Sequence, residues 1–175
     1  LMTEPRIPVA APSIGEEEMA NVMEAMRSGW ISSLGAFIGQ FERGFAALCG
    51  TAHGIAVANG TVSLHLALVA AGVGPGDEVI IPSLTFVATA NVVRYCGATP
   101  VFVDIDPQTY NIDPALIESE ITPRTKAILP VHQIGMPCDI EAVVKVARRH
   151  NLPVVEDAAC AVGSEIRVNG EWHKV

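Results

Sequence analysis

The sequence lacks the patterns that identify several large classes of protein. No apolar run reaches the roughly 18 residues that a membrane span needs, and no signal-peptide pattern is visible. Basic residues form no cluster, and the formal net charge is -8. An acidic chain without a basic patch does not attract a polyanion. We therefore expect neither a membrane nor a nucleic acid as a partner.

Paired cysteines are also missing. The four cysteines are far apart, with no C-x-x-C pair, and the five histidines are equally scattered. This distribution predicts free thiols in a reducing cytoplasm, and neither a zinc site nor a disulfide framework. The cysteines are Cys49, Cys96, Cys138 and Cys160.

Three common catalytic or phosphate-binding motifs have no match. The chain has no G-x-x-x-x-G-K-[ST] loop and no G-x-S-x-G elbow, so a P-loop enzyme and an α/β-hydrolase find no support. The glycines of Gly72-Val-Gly-Pro-Gly76 follow a predicted helix and precede a predicted strand, the reverse of a dinucleotide fingerprint. A Rossmann-type dehydrogenase is therefore a poor interpretation.

The first 50 residues predict a helical segment. Ser13 and Glu16 have the spacing of a capping box that opens a helix. A second helix carries an aromatic and aliphatic stripe at helical spacing, which predicts a buried face in the core. That stripe is Phe37, Phe41, Phe45 and Leu48.

From residue 51 to residue 175 the pattern changes to strands that alternate with helices. This alternation predicts an α/β fold with a mostly parallel sheet and helices on both faces, followed by a hairpin over 165–175. The predicted strands are 53–58, 77–81, 100–105, 126–131 and 152–155, and the predicted helices are 62–71, 85–95, a short one from 114, and 139–150.

The last of these strands ends in two acids. Leu152 to Val155 is short, apolar and β-branched, which predicts burial on both faces. Glu156 and Asp157 follow at the carboxyl end, where open α/β sheets bind ligands. On this stretch alone, Asp157 is either a helix cap or structural ion-pair partner, or the partner of a cationic ligand.

Two further features are predicted at the same edge. Asn59-Gly60-Thr61 separates a strand from a helix, so it is either a plain helix start or a cradle for phosphate. Phe86 follows the turn after the second strand. A planar, phosphorylated, cationic ring would use the phosphate cradle, the aromatic face and the carboxylate together. Pyridoxal 5'-phosphate (PLP) has this chemistry.

Several stretches resemble one family, the DegT/DnrJ/StrS-type sugar aminotransferases, which are PLP enzymes of the aspartate aminotransferase fold (fold type I). The resemblance runs from about Ile7 to Gly163, and it implies a PLP-binding large domain over 51–175. The stretches that carry it are Gly29-Trp-Ile-Ser-Ser-Leu-Gly35, Ala58-Asn-Gly-Thr61, Gly74-Pro-Gly-Asp-Glu-Val-Ile-Ile-Pro-Ser-Leu-Thr-Phe-Val-Ala-Thr-Ala-Asn91, Gly97-Ala-Thr-Pro-Val-Phe-Val-Asp104, Asp113-Pro114, Thr122-Pro-Arg-Thr-Lys-Ala127, Pro130-Val-His132 and Val155-Glu-Asp-Ala-Ala159.

The resemblance implies a role for five residues at the cofactor. Gly60 and Thr61 would hold the phosphate, Phe86 would stack on the ring, and Asp157 would pair with the pyridinium nitrogen. Family members often have Gln or His three residues after this Asp, near the ring hydroxyl. This chain has Cys160 there, and a thiol is a poorer donor.

The resemblance also implies substrates and partners. Trp30 and Ser32 would lie near an amino-sugar substrate, and His132 would face the cofactor region unless it is structural. The substrate would be a nucleotide-linked keto-sugar, with glutamate as amino donor. Enzymes of this fold build the active site at a dimer interface, so a homodimer is expected.

The Schiff-base lysine that transamination requires has no good candidate. The three lysines are Lys126 at the start of a strand, Lys145 in mid-helix, and Lys174 in the hairpin. None has the Ser-Phe-x-x-x-Lys context of the family. We therefore expect the lysine beyond Val175, in a longer protein, and an inactive chain without it.

Two alternatives remain open at this point. A PLP-dependent sugar dehydratase of the same family has His in place of the lysine, at a position outside this sequence. A non-catalytic family member that acts in regulation or binding would also be compatible with Cys160 and the missing lysine.

Overall fold

The computed structural model describes residues 11–168 and 170–175. Its larger sheet has three parallel strands in the order β2-β1-β3, and the hairpin strands form a separate two-stranded antiparallel sheet. The α/β prediction is confirmed. The elements are α1 Glu16–Ser28, α2 Ala36–Cys49, α3 Gly60–Ala70, β1 Glu78–Pro82, α4 Val87–Tyr95, β2 Thr99–Val103, α5 Pro114–Ile117, β3 Thr125–Ile128, α6 Ile140–Arg149, β4 Glu165–Val168 and β5 Glu171–Lys174.

Helices cover both faces of the parallel sheet because side chains alternate along β1. Val79 and Ile81 pack on one face, in a core built with α3 and α4. Ile80 faces the other way, into a core built with α5 and α6. All three side chains are fully buried, as expected for the central strand of a parallel sheet.

The helix starts follow simple capping chemistry. The side chains of Asp113 and Asp139 accept hydrogen bonds from the first turns of α5 and α6, as the sequence predicts. The Ser13–Glu16 capping box is wrong. Helix α1 begins two residues later, with Gly15 as N-cap, and the Gly15 N–H donates to Glu18 Oε2 over 2.7 Å.

Two predicted strands do not form. The backbone from 53 to 58 lies in no ladder, and the Ala56 N–H donates to Glu42 Oε1 instead. The 152–155 strand is reduced to isolated parallel bridges, Val154 with Ile128 and Asp157 with Val131. Its residues are exposed or half-buried, not buried on both faces. Among the described residues, this stretch pairs only with β3 and the residues that follow it. No described strand pairs with its other edge.

The aromatic stripe of α2 is not core. Phe41 and Phe45 are 56% and 38% exposed and stack on each other with ring centroids 5.5 Å apart. Ala46 is the buried residue of this helix among those described. Periodicity identified the apolar face correctly, but that face borders an open cleft.

The glycine-rich connection Gly72–Gly76 lies between α3 and β1. It is a helix-to-strand turn, which agrees with the rejection of a dinucleotide fingerprint. The β4–β5 hairpin is confirmed, while Asn169 of its predicted turn lies outside the described residues. No described helix is long and apolar enough to cross a membrane.

A surface ion cluster joins the turn after α5 to the end of α6. Glu118 accepts hydrogen bonds from Arg149 (2.8 and 3.1 Å) and from His150 (2.9 Å). The bonds from Arg149, followed by the bond from His150, lower the pKa of Glu118 from 4.5 to about 2.

We expect this cluster to stabilise the fold above pH 4.5 and to lose its effect as the pH falls toward about 2. In that window the unfolded chain binds a proton that the folded chain does not. Urea unfolding from pH 6 to pH 2 should show the loss in wild type and not in Glu118→Gln, with Glu120→Gln as the nearby control. Added salt should shrink the difference because the pair is exposed. Parallel curves for wild type and Glu118→Gln would disprove this.

Candidate cofactor site

Asp157 lies at the carboxyl end of the parallel sheet, as predicted. Its backbone N–H donates to Pro130 O and its carbonyl accepts from His132 N, which ties it to the chain leaving β3. Its carboxylate accepts from Thr89 Oγ1 at 3.3 Å and from the Ala159 N–H at 3.2 Å. Within residues 11–168 and 170–175, Asp157 therefore caps no regular helix and forms no ion pair. Of its two interpretations, the ligand partner is favoured.

Asn59 is the N-cap of α3, and the N–H groups of the first two helical residues stay available to an anion. Its side chain accepts the Val62 N–H at 3.0 Å and its carbonyl accepts the Ser63 N–H. Among the described residues the N–H groups of Gly60 and Thr61 have no hydrogen-bond acceptor. Two free N–H groups at the positive end of an 11-residue helix suit a phosphate.

Gly60 leaves room for a close approach. A Cβ built at Gly60 would meet nothing within 4 Å. The glycine is therefore not required by local packing, and the space in front of its backbone is open to a ligand. Gly44 in the middle of α2 has equally open surroundings, so this observation is compatible both with a phosphate cradle and with a plain helix start.

Gly60 and Asp157 line one cavity of about 440 Å³. The cavity lies between α2, the irregular 55–59 backbone with the start of α3, and the stretch 156–162 at the sheet edge. Most of its lining is apolar, and Phe41 and Phe45 of α2 form part of it. Sequence reasoning assigned these two rings to the core and missed their place in the cleft.

Phe86 does not line this cavity. It is the N-cap residue of α4 and is 74% exposed. Thr89, one turn along the same helix, is fully buried and reaches the Asp157 carboxylate. Helix α4 therefore begins at Phe86, the predicted ring platform, and contacts Asp157, the predicted pyridinium partner, through Thr89.

His132 is fully buried behind the acidic pair. Its Nδ1 accepts the Cys138 N–H at 3.1 Å, so the proton of the neutral ring is on Nε2, which lies 3.1 Å from Glu156 Oε2. Both ring nitrogens are thus in use within the chain. This geometry favours the structural interpretation of His132, as an anchor for Glu156, over contact with a substrate.

Four other predicted site residues do not line the cavity, and one of them, Thr61, is the half-buried neighbour of Gly60 in α3. Trp30 and Ser32 are exposed in the loop between α1 and α2. Cys160 is exposed, lies within the turn that follows Asp157, and does not line the cavity. The sequence prediction for these four residues stays a prediction.

The lysines lie where the sequence placed them. Lys126 is exposed in β3, near its amino end, and Lys145 is exposed on α6. Lys174 is exposed in the hairpin strand β5. None of the three lines the cavity that contains Asp157. The described residues form no group of three or more His, Cys, Asp or Glu suited to a metal ion.

Comparison with known proteins identifies the family. Residues 12–172 match the model of the DegT/DnrJ/EryC1/StrS aminotransferase family. The chain belongs to this family. The resemblance seen in the sequence is thereby confirmed, and with it the type I fold of PLP-dependent aminotransferases.

Named relatives are longer than this chain. GDP-perosamine synthase of Caulobacter vibrioides is 61% identical over 163 residues, which cover 93% of this chain and 44% of that protein. The structure of DesV from S. venezuelae matches with a TM-score of 0.81 and 44% identity, over 91% of this chain and 43% of that one. The PLP form of the sugar aminotransferase Spr1654 from Streptococcus pneumoniae matches with a TM-score of 0.81 and 34% identity, over 87% and 43%. The chain thus spans less than half the length of these relatives.

Proposed function

We propose that this chain is the cofactor-binding part of a PLP-dependent aminotransferase that transfers an amino group to a nucleotide-linked keto-sugar. The observation that carries the proposal is the shared cavity of Gly60 and Asp157. It offers free helix N–H groups for a phosphate at one place and a hydrogen-bonded carboxylate for a pyridinium nitrogen at another. The bound cofactor would supply an electron sink for amino-group transfer.

The chain's own residues would bind and orient that cofactor. Gly60 and Thr61 would bind the phosphate through backbone N–H groups, and Phe86 would cover one face of the ring. Asp157 would keep the ring nitrogen protonated, because an adjacent carboxylate favours the charged form of a base. Cys160 would lie near the ring hydroxyl as a weak donor.

The named function of relatives supports the sugar substrate. GDP-perosamine synthase is named for an amino-sugar product carried on a nucleotide, and Spr1654 is described as a sugar aminotransferase. We propose the same class of acceptor here, with glutamate as donor, and with Trp30 and Ser32 on the substrate side. A cytoplasmic location would suit the free thiols of the described cysteines.

A homodimer is part of the proposal. Apolar side chains are exposed around the carboxyl end of the sheet, which is unusual for a surface that faces only water. A second subunit would cover them. They are Leu84, Phe86, Val87, Tyr110, Ile134 and Met136.

We expect no lysine of this chain to become the covalent anchor of the cofactor. After incubation with PLP and reduction with borohydride, peptide mass spectrometry should find only low, unselective labelling of the three exposed lysines. Lys174 is the critical position because it follows Asp157 in the chain. A stoichiometric adduct on Lys174 that disappears in Asp157→Asn would contradict the expectation and would make Lys174 the Schiff-base residue.

A further inference from the structure

Thr89 is a fully buried hydroxyl that points at the Asp157 carboxylate. Its Oγ1 lies 3.3 Å from Asp157 Oδ2, and the other carboxylate oxygen accepts the Ala159 N–H at 3.2 Å. Each oxygen of Asp157 therefore has one hydrogen-bond donor from the chain. Two donors on different segments fix the plane of the carboxylate as well as its place.

The direction of these bonds follows from the groups themselves. A threonine hydroxyl has one proton, and an ionised carboxylate only accepts. Thr89 therefore donates to Asp157, and its oxygen accepts from Thr85, whose Oγ1 is 2.8 Å away. Hydroxyls in such a chain polarise one another and strengthen the bond to the terminal acceptor.

Helix α4 couples this contact to the predicted ring platform. The Thr89 N–H donates to the Phe86 carbonyl at 3.1 Å in the first turn. Phe86 is the N-cap residue of α4 and Thr89 lies in its first turn, so both side chains are carried by one element. Helix α4 would thus support the cofactor ring through Phe86 and, through Thr89, orient the Asp157 carboxylate that would meet the ring nitrogen.

We propose that Thr89 is a positioning residue that holds Asp157 in the orientation required to keep the cofactor's ring nitrogen protonated. The inference rests on the proposed function. It assigns to Thr89 no contact with substrate or cofactor. The residue acts only through Asp157.

The test is the protonation of the ring nitrogen in bound pyridoxamine 5'-phosphate, a probe without an aldehyde that could react with lysines. The nitrogen is labelled with 15N, and its chemical shift is followed against pH. Thr89→Val should lower the midpoint pH by about one unit, a tenfold change in the protonation equilibrium. Thr89→Ala should lower it as well, and Thr89→Ser should restore it because the hydroxyl returns.

Thr125→Val is the matched control. Thr125 is a buried threonine of β3 whose hydroxyl accepts the Thr122 N–H at 2.9 Å. Its loss should cost stability without moving the midpoint. Circular dichroism checks that each variant is folded, and affinity is measured in the same samples.

Two failures can be told apart. In the first case, wild type binds the probe and Asp157→Asn binds it more weakly, but the midpoint pH is unchanged in both Thr89→Val and Thr89→Ala. Thr89 then does not position Asp157, and the proposed function stands. In the second case, wild type does not bind the probe, or Asp157→Asn binds it as tightly as wild type does. The proposed function then fails, and the inference about Thr89 fails as well.

Discussion

Replacing Asp157 with asparagine should weaken the binding of pyridoxamine 5'-phosphate by about 10- to 100-fold. A hydrogen bond between charged partners contributes about 1.5–3 kcal/mol, and each 1.4 kcal/mol is a factor of ten in affinity. The amide keeps the size of the side chain, so the loss reports the charge. Isothermal titration near neutral pH measures it directly.

Asp104 provides the control for this substitution. It also follows a strand of the parallel sheet, and its Oδ1 accepts from Ser83 Oγ at 3.2 Å and from its neighbour's N–H at 2.8 Å. It does not line the cavity that contains Asp157. Asp104→Asn should bind the probe like wild type. Equal affinity in Asp157→Asn and wild type would remove Asp157 from the site.

The second large effect is expected at Gly60. Gly60→Val should leave folding intact but reduce the affinity for pyridoxamine 5'-phosphate about tenfold or more. The built Cβ meets nothing within 4 Å, and valine is no worse than glycine in a helix. The new side chain would, however, fill the space in front of the free N–H groups that the phosphate needs.

Two comparisons make this result specific. Gly44→Val alters a glycine of α2 that also has nothing within 4 Å of a built Cβ, and it should leave binding unchanged. Pyridoxamine without its phosphate should bind wild type and Gly60→Val with the same weak affinity. If Gly60→Val binds the phosphorylated probe as wild type does, the start of α3 is a plain helix start.

The architecture was predictable wherever a local rule decides the structure. Asp113 and Asp139 cap helices because their side chains satisfy N–H groups within the same few residues. Strands β1, β2 and β3 were predicted from apolar runs that alternate with helical patterns, and each of them pairs in the parallel sheet. The two helix caps require no knowledge of distant partners.

Apart from the Ser13–Glu16 capping box, which is a local rule that chose the wrong N-cap, the failed predictions concern residues whose partners are set by the tertiary structure. The 53–58 and 152–155 runs have strand composition, yet a strand also needs a ladder on its edge. Phe41 and Phe45 have the periodicity of a core face, and that periodicity is the same whether the face meets another helix or a cleft. Sequence pattern alone does not distinguish these outcomes.

The candidate site divides in the same way. Asp157 was identifiable because the carboxyl ends of parallel strands are where such sheets bind ligands, and Gly60 because it starts a helix after an extended segment. Thr89 was not identified, since its role depends on which side of α4 faces the sheet. Its spacing of three from Phe86 was the available signal.

A crystal structure of this chain with pyridoxamine 5'-phosphate tests the central claim most directly. The account predicts the phosphate at the N–H groups of Gly60 and Thr61, the ring against Phe86, and the ring nitrogen at hydrogen-bond distance from Asp157, about 2.7–2.9 Å. A ligand bound elsewhere, or bound here with its nitrogen turned away from Asp157, would contradict it.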